Sequence, residues 1–354
     1  MKNITKTLLV LVSALSISFA SATAGELSVS GAAKASYKIG GTDDSNDKGV
    51  GVGNELNFTA SGEMDNGFTW SYSMELDPAD GGAATNDDSQ LVIGMGDMGT
   101  IGFFDSEGGL SQELGYGIGA LGVGTDYGNT MTVQYGGDVS NYPNLQYHLP
   151  ADMLPFGMTA KVGYAPNLAD GQGNSFNNSG PINPQSGTSA GRDATHYAVT
   201  AAPIDGLGIG ADYFSTSGSN ATAQEFESGN YYAKYAMGNF KVGYNKGYYA
   251  PAITAKNGNV TMYENDAYGI EFAVNDALSV SYNEEKSVAT TNVAIVATAS
   301  SNTKTTVESE MEVMQVAYIF GGATLGVHIA DVTNADYVSA KDEKVTVFTI
   351  AMDF

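Results

Sequence analysis

From Glu26 to Phe354 the chain alternates apolar and polar residues in runs of about ten, each closed by turn residues. Period-two alternation places one set of side chains on each face of an extended strand. Phe68, Trp70, Tyr72, Met74 and Leu76 share a face, opposite Thr69, Ser71, Ser73 and Glu75. Val29, Ala33, Ala35, Tyr37 and Ile39 oppose Ser28, Ser30, Lys34, Ser36 and Lys38 in the same way. Leu56, Phe58 and Ala60 oppose Glu55, Asn57, Thr59 and Ser61, and Phe348, Ile350, Met352 and Phe354 form one last apolar row. The pattern predicts sixteen strands, at 26–39, 52–62, 67–76, 89–96, 100–105, 143–149, 157–165, 195–202, 206–215, 229–237, 239–247, 266–274, 277–286, 307–319, 322–331 and 344–354. Met131–Tyr135 and Val293–Thr298 also read as strands, and both together would raise the count to eighteen. Within 307–319 the apolar face changes from Met311 and Val313 to Val316 and Tyr318, which predicts a β-bulge.

The connections alternate in length. Short ones, such as Met64–Gly67, Asp97–Gly99, Pro203–Gly206, Gly238–Asn239, Asn275–Asp276 and Gly321–Gly322, have tight-turn compositions. Long ones, such as Gly40–Val50, Asp77–Asp88, Ala165–Asp193, Ser215–Ser228, Tyr248–Asn265, Ser287–Thr306 and Val332–Glu343, are rich in Gly, Asn, Asp, Ser and Thr. Short turns on one side and long loops on the other are the asymmetry of transmembrane barrels. The fold class predicted is therefore all-β, a transmembrane antiparallel β-barrel with both ends on the periplasmic side. Lipid forbids an open sheet edge, because each unpaired backbone group in hydrocarbon costs several kcal/mol. A closed sheet of this many strands encloses a lumen too wide for side chains to fill.

The first residues read differently. Lys2 and Lys6 precede the apolar run Leu8–Ala20, and small residues follow to Ala24. This is the order of a secretory signal peptide, assigned to 1–24 with an alternative cut after Ala22, leaving 25–354 as the barrel. The run is shorter than the ~20 residues a helix needs to span a bilayer.

Composition sharpens the picture. Charged residues make up 15% of the chain, against roughly 25% in soluble domains. The formal charge is −24, and it becomes two units more negative without Lys2 and Lys6. Such a surface repels phosphates, which excludes nucleic acid as a partner. The absence of Cys excludes disulfides and thiol chemistry.

Three stretches resemble the Gram-negative general diffusion porins, in particular their alphaproteobacterial branch. Glu26–Gly31 followed by Tyr37 is similar to that family's first strand. Leu145–Pro150, Phe156-Gly157-Met158 and Val162-Gly163-Tyr164 are similar to its strand–turn–strand after the third loop. The chain ends in Phe354 on an alternating strand, where the family carries an aromatic signal for the barrel assembly machinery. The resemblance implies a homotrimer in the outer membrane, in contact with outer-membrane lipid and lipopolysaccharide, that passes small hydrophilic solutes and ions. It also implies that 106–142 folds inward as a constriction loop whose acids, here Glu107, Glu113, Asp126 and Asp138, face basic residues across the channel.

Parity puts Lys34, Lys38, Lys161, Lys234 and Lys241 on the faces opposite their strands' apolar residues, hence in the lumen. Each either sets a transverse field with the loop acids or solvates a wet interior. The single Arg, Arg192, falls in a loop, so the stacked Arg cluster of the resembled family is missing. Few bases against many acids predicts cation preference. Asp43-Asp44-Asn46-Asp47 and Asn86-Asp87-Asp88 offer oxygen ligands suited to Ca²⁺, but neither matches a recognised calcium loop, solvated acidic loop tips explain them better, and no cofactor is required. His148, His196 and His328 sit singly, and Gly115–Gly124 has no Lys or following helix to cradle a phosphate. No nucleophile–base pair suggests an enzyme. Two other readings stay open: a substrate-specific channel with Tyr116, Tyr127 and Tyr135 at its site, and an exported adhesin without a pore.

Overall fold

The structure is a computed structural model. It describes residues 25–42, 48–78, 84–105, 107–123, 136–168, 193–217, 224–253, 256, 258–294 and 302–354. The segment 1–24 assigned as a signal peptide lies outside these residues, as do Asp43–Asp47, Asp126, Met131–Tyr135 and Arg192. Sixteen strands follow in chain order: β1 (Glu26–Thr42), β2 (Lys48–Glu63), β3 (Thr69–Pro78), β4 (Ala84–Gly94), β5 (Thr100–Asp105), β6 (Asn144–His148), β7 (Thr159–Ala165) and β8 (Asp193–Ile204). The second half comprises β9 (Leu207–Ser217), β10 (Glu227–Met237), β11 (Phe240–Ala250), β12 (Val260–Asn275), β13 (Leu278–Ala294), β14 (Asn302–Phe320), β15 (Ala323–Thr333) and β16 (Glu343–Asp353).

Every strand pairs antiparallel with its chain neighbours, and β1 pairs with β16, so the sheet is a closed barrel. The seam runs from Ala32↔Asp353 to Thr42↔Glu343. Phe354 extends it by two backbone hydrogen bonds with Gly31, at 2.8 and 2.9 Å. A methyl group on Gly31 would stand 2.9 Å from the Phe354 ring, so the glycine makes room for the terminal aromatic. The turn Gly321-Gly322 has φ of +59° and +85°, the two left-handed positions a two-residue hairpin needs.

The two faces separate as alternation requires. Val199, Ile209, Tyr235, Val242, Ile270, Val316, Leu325 and Ile350 are exposed on the outside. His196, Asn230, Asn245, Asn283, Gln315 and His328 are buried on the other face. Toward the loop ends, the outer apolar band stops at tyrosines capped by carboxylates. Tyr213 donates to Glu227 (3.1 Å), Tyr244 to Asp266 (2.5 Å), Tyr268 to Glu284 and Tyr282 to Glu312 (2.8 Å).

Four expectations need correction. The bulge expected in 307–319 is absent, since β14 pairs with β13 and β15 without a register slip. Met311 and Val313 belong to the inner row with Gln315 and Ala317, where they pack on Ala330, Val332 and Ala335 beneath the last loop. An inner face can therefore be apolar where a loop covers it. Register shifts occur instead between Met74 and Leu76, Ala201 and Ile204, and Ala273 and Asn275. The loops are shorter than the predicted 287–306 and 248–265, because Thr-rich ends of β13 and β14 remain paired up to Ala294↔Asn302, and β11 runs to Ala250 while β12 begins at Val260. Val293 thus extends β13 and starts no extra strand. Likewise Asn86, Asp87 and Asp88 lie in β4 and not in a loop.

Candidate functional site

Between β5 and β6 the chain leaves the sheet and runs as a strap along the polar face of the opposite wall. Gln112 N donates to Asp212 Oδ1 on β9 (2.7 Å). The Tyr116 hydroxyl donates to Glu285 Oε1 on β13 (2.9 Å), and both side chains are buried. Asn283 Nδ2 donates to Ile118 O (2.5 Å), while Ala120 N donates to Ser281 Oγ (2.9 Å). Gln315 on β14 grips both directions: it accepts from Leu121 N at 2.9 Å and donates to Gly122 O at 2.8 Å. These wall residues alternate with the exposed apolar ones, so the strap covers the side of the sheet turned away from them.

Glycines mark the path. A methyl group at Gly243 would meet Ile118 at 2.9 Å and Tyr116 at 3.0 Å. At Gly269 it would meet Ile118 at 2.9 Å, and at Gly326 it would meet Leu121 at 2.7 Å. Only a wall without side chains at these points lets the strap lie flat.

The returning arm is held more strongly. Asp138 accepts from Leu110 N and Ser111 N (3.0 and 2.7 Å), and its Oδ1 stands 3.3 Å from His196 Nδ1. The other ring nitrogen of His196 lies 3.1 Å from Asp212 Oδ2, and Asn230 donates to the same Asp212. His196 is fully buried, with its ring edge-on to Phe214. Burial raises the Asp138 carboxyl, but the hydrogen bond and charge of His196, with the two backbone donors, outweigh it and hold the group below the usual carboxylate range. Glu113 behaves oppositely. It is 7% exposed, and burial pushes its carboxyl well above the usual range, helped by Asp212, Glu285 and Asp138; only Gly136 N opposes this.

The residues singled out from the sequence are thus spread over several environments. Glu113 and Asp138 spend their carboxylates on the strap's own backbone. Glu107 accepts from Gly108 N, and its carboxylate gathers with those of Glu75 and Asp88 within 4.8 Å, an all-oxygen set of the kind hard divalent cations take. Asp126 lies outside the described residues. Lys34 and Lys38 sit on β1 opposite Gly53 and Gly49. Lys161 pairs across from His148, and Lys234 stands 5.4 Å from the Tyr232 ring centroid. Lys241 Nζ lies 2.8 Å from Glu271 Oε1. These five lysines occupy β1, β7, β10 and β11 and form no single cluster. Tyr116, a candidate for solute contact, is buried against the wall. His196, read from the sequence as a lone histidine, is instead held between Asp138 and Asp212, and the residues that sequence reasoning missed are Asp212, Asn283, Glu285 and Gln315. Their signal was a polar residue at an inner position of a strand, which parity shows but does not pair.

No family model and no curated protein matches the chain. Solved structures do resemble it. The anion-selective porin from Comamonas acidovorans superposes with a TM-score of 0.66 over 93% of this chain and all of the other, at 11% identity. OmpF of Salmonella typhi, in complex with daunomycin, gives 0.61 over 93% of this chain and 98% of its own, at 13% identity. OmpT, an outer membrane protein of Vibrio cholerae solved in a trimer form, gives 0.59 over 94% and 100%, at 14% identity. At these identities the likeness establishes the fold, a closed barrel of sixteen antiparallel strands.

Proposed function

We propose that the chain is an outer-membrane porin, a water-filled channel for passive diffusion of small hydrophilic solutes and ions. The carrying observation is the pairing of a closed sheet with an apolar exterior and a polar interior. No backbone edge is left for lipid to meet, and the row of carboxylate-capped tyrosines supplies the aromatic border that membrane barrels place at the water interface. The strap, on this reading, narrows the channel by occupying part of its cross-section. Its hydrogen bonds to β9, β13 and β14 support that role.

Cation preference belongs to the same proposal. The fold leaves the sign of selectivity open, as the anion-selective Comamonas protein illustrates, so the side chains must set it. Here the chain carries −24, Lys241 is matched by Glu271, and Glu75, Asp88 and Glu107 concentrate negative charge at the strap's start. A homotrimer is proposed by analogy with the trimer form of the Vibrio protein. Planar-bilayer recording tests the whole reading. Stepwise conductance with closures in threes and a cation-directed reversal potential in a salt gradient are expected. A protein that inserts no conductance, or an anion-directed potential, refutes the corresponding part.

A further inference from the structure

At the loop end of the barrel, partly buried aromatic rings stand in an unbroken row on the inner side, the first of them, Phe226, packed on Phe214. Phe226 lies just before β10, Tyr249 near the end of β11, Tyr263 near the start of β12 and Tyr337 in the connection from β15 to β16. Their ring centroids are separated by 5.0 Å (Phe226–Tyr249), 5.5 Å (Tyr249–Tyr263) and 5.1 Å (Tyr263–Tyr337). Tyr249 and Tyr263 are Cα partners whose rings lie within 10° of parallel. Both sit on the polar face, since Tyr249 continues the row of Lys241, Gly243 and Asn245, and Tyr263 that of Glu271, Gly269 and Asn265.

The last ring is placed at a conformational cost. Asn334, Asp336, Tyr337 and Ala340 all have φ between +52° and +63°, a left-handed region that Asn and Asp tolerate but that Tyr337 and Ala340 hold under strain. The loop is fixed in it by Asn334 Nδ2 on Glu308 O (2.9 Å), Ala340 N on Asn334 Oδ1 (2.9 Å) and the ion pair of Lys341 with Asp336. The Tyr337 hydroxyl lies 2.7 Å from Ser287 Oγ, which itself donates to Asn265. Strain, two networks and a pinned hydroxyl converge on setting one aromatic ring at the end of the row.

Aromatic faces offer dispersion and C–H···π contact to flat apolar surfaces without demanding charge. A pyranose ring has such a face, with hydroxyls around its rim, and the row supplies tyrosine hydroxyls at its edge. The rings are neutral in a strongly acidic chain, which disfavours anionic solutes. We propose that Phe226, Tyr249, Tyr263 and Tyr337 form a binding track for neutral saccharides at the mouth of the channel. The proposal rests on the channel reading above and names a solute class for it.

The test is single-channel recording with linear glucose oligosaccharides of increasing length added from the loop side, against polyethylene glycol of matched size. Saturable current interruptions are expected with the saccharide, with affinity rising with chain length and little effect from the polymer. The doublet Tyr249→Ala/Tyr263→Ala weakens saccharide affinity by about tenfold or more, and Tyr249→Phe/Tyr263→Phe retains it. Equal interruption by the polymer, block by aromatic solutes but not by saccharides, or an alanine variant that binds saccharide as the parent does would each overturn the track. Normal current steps indifferent to saccharide would remove the track alone. The absence of any current would remove the channel reading and the track with it.

Discussion

Glycine lines two walls of this barrel for opposite reasons. On β2, Gly49 and Gly53 face the same side as Lys38 and Lys34, and a methyl group on either would meet nothing within 4 Å. On β11, β12 and β15, Gly243, Gly269 and Gly326 would put that methyl against the strap at 3.0 Å or less. One set borders open space and the other is a bed. The difference teaches that absence of a side chain has no meaning until its neighbour is known, and that the polar wall is divided into a covered half and a bare one.

The sharpest way to break this comparison is to attack the covered half at its root. His196→Leu keeps bulk but leaves Asp138 and Asp212 without the ring between them, and removing one partner of a buried pair costs about 3–5 kcal/mol. A large fall in the temperature at which the folded band is lost on unboiled gels is expected, with noisier open-channel current. Next comes the direct exchange between the halves. Gly269→Val overpacks the strap's bed, for about 1–3 kcal/mol, whereas Gly53→Val on the bare wall stays within about 0.5 kcal/mol. Equal effects in urea titrations of the two variants would erase the distinction.

The pH response separates the strap's two acids. Glu113, raised when folded, stabilises the strap below the ordinary carboxylate range and loses that contribution as pH rises through its elevated value. Asp138, lowered when folded, stabilises above the ordinary range and loses its contribution as pH falls through its depressed value. Melting midpoints measured across pH should therefore decline on both sides, and Glu113→Gln should remove the alkaline decline alone. The smallest effect is expected at Lys241→Met, because Lys241 is half-exposed and water can reach its end of the pair with the buried Glu271. Its reversal potential should move further toward cations while stability barely changes.

Strand number and order were legible because an apolar outer face and a polar inner face write a period of two into every strand. Where a third environment intervenes, the reading slips. Met311 and Val313 suggested a bulge because they are apolar on the otherwise polar inner face, and a loop folded over them is invisible to periodicity. Lysine parity was readable, but the partners were not: nothing near Lys241 in the sequence points to Glu271 on the next strand. Acids in the strap looked like pore charges because composition cannot tell a carboxylate facing water from one accepting backbone N–H groups. His196 looked isolated for a similar reason, as both carboxylates beside it come from other parts of the chain.

The strap's contacts also carry a timetable. Leu110 reaches a partner 28 residues away, Gln112 one 100 away, Tyr116 one 169 away and Leu121 one 194 away. Each step from Leu110 toward Leu121 reaches a partner further along the chain, and contacts that close longer loops form more slowly, so the Leu121 contact is expected to be the last of these to form. The contact made by Leu121 thus carries the largest loop-closure cost in the strap, and its seating depends on almost the whole sheet being in place.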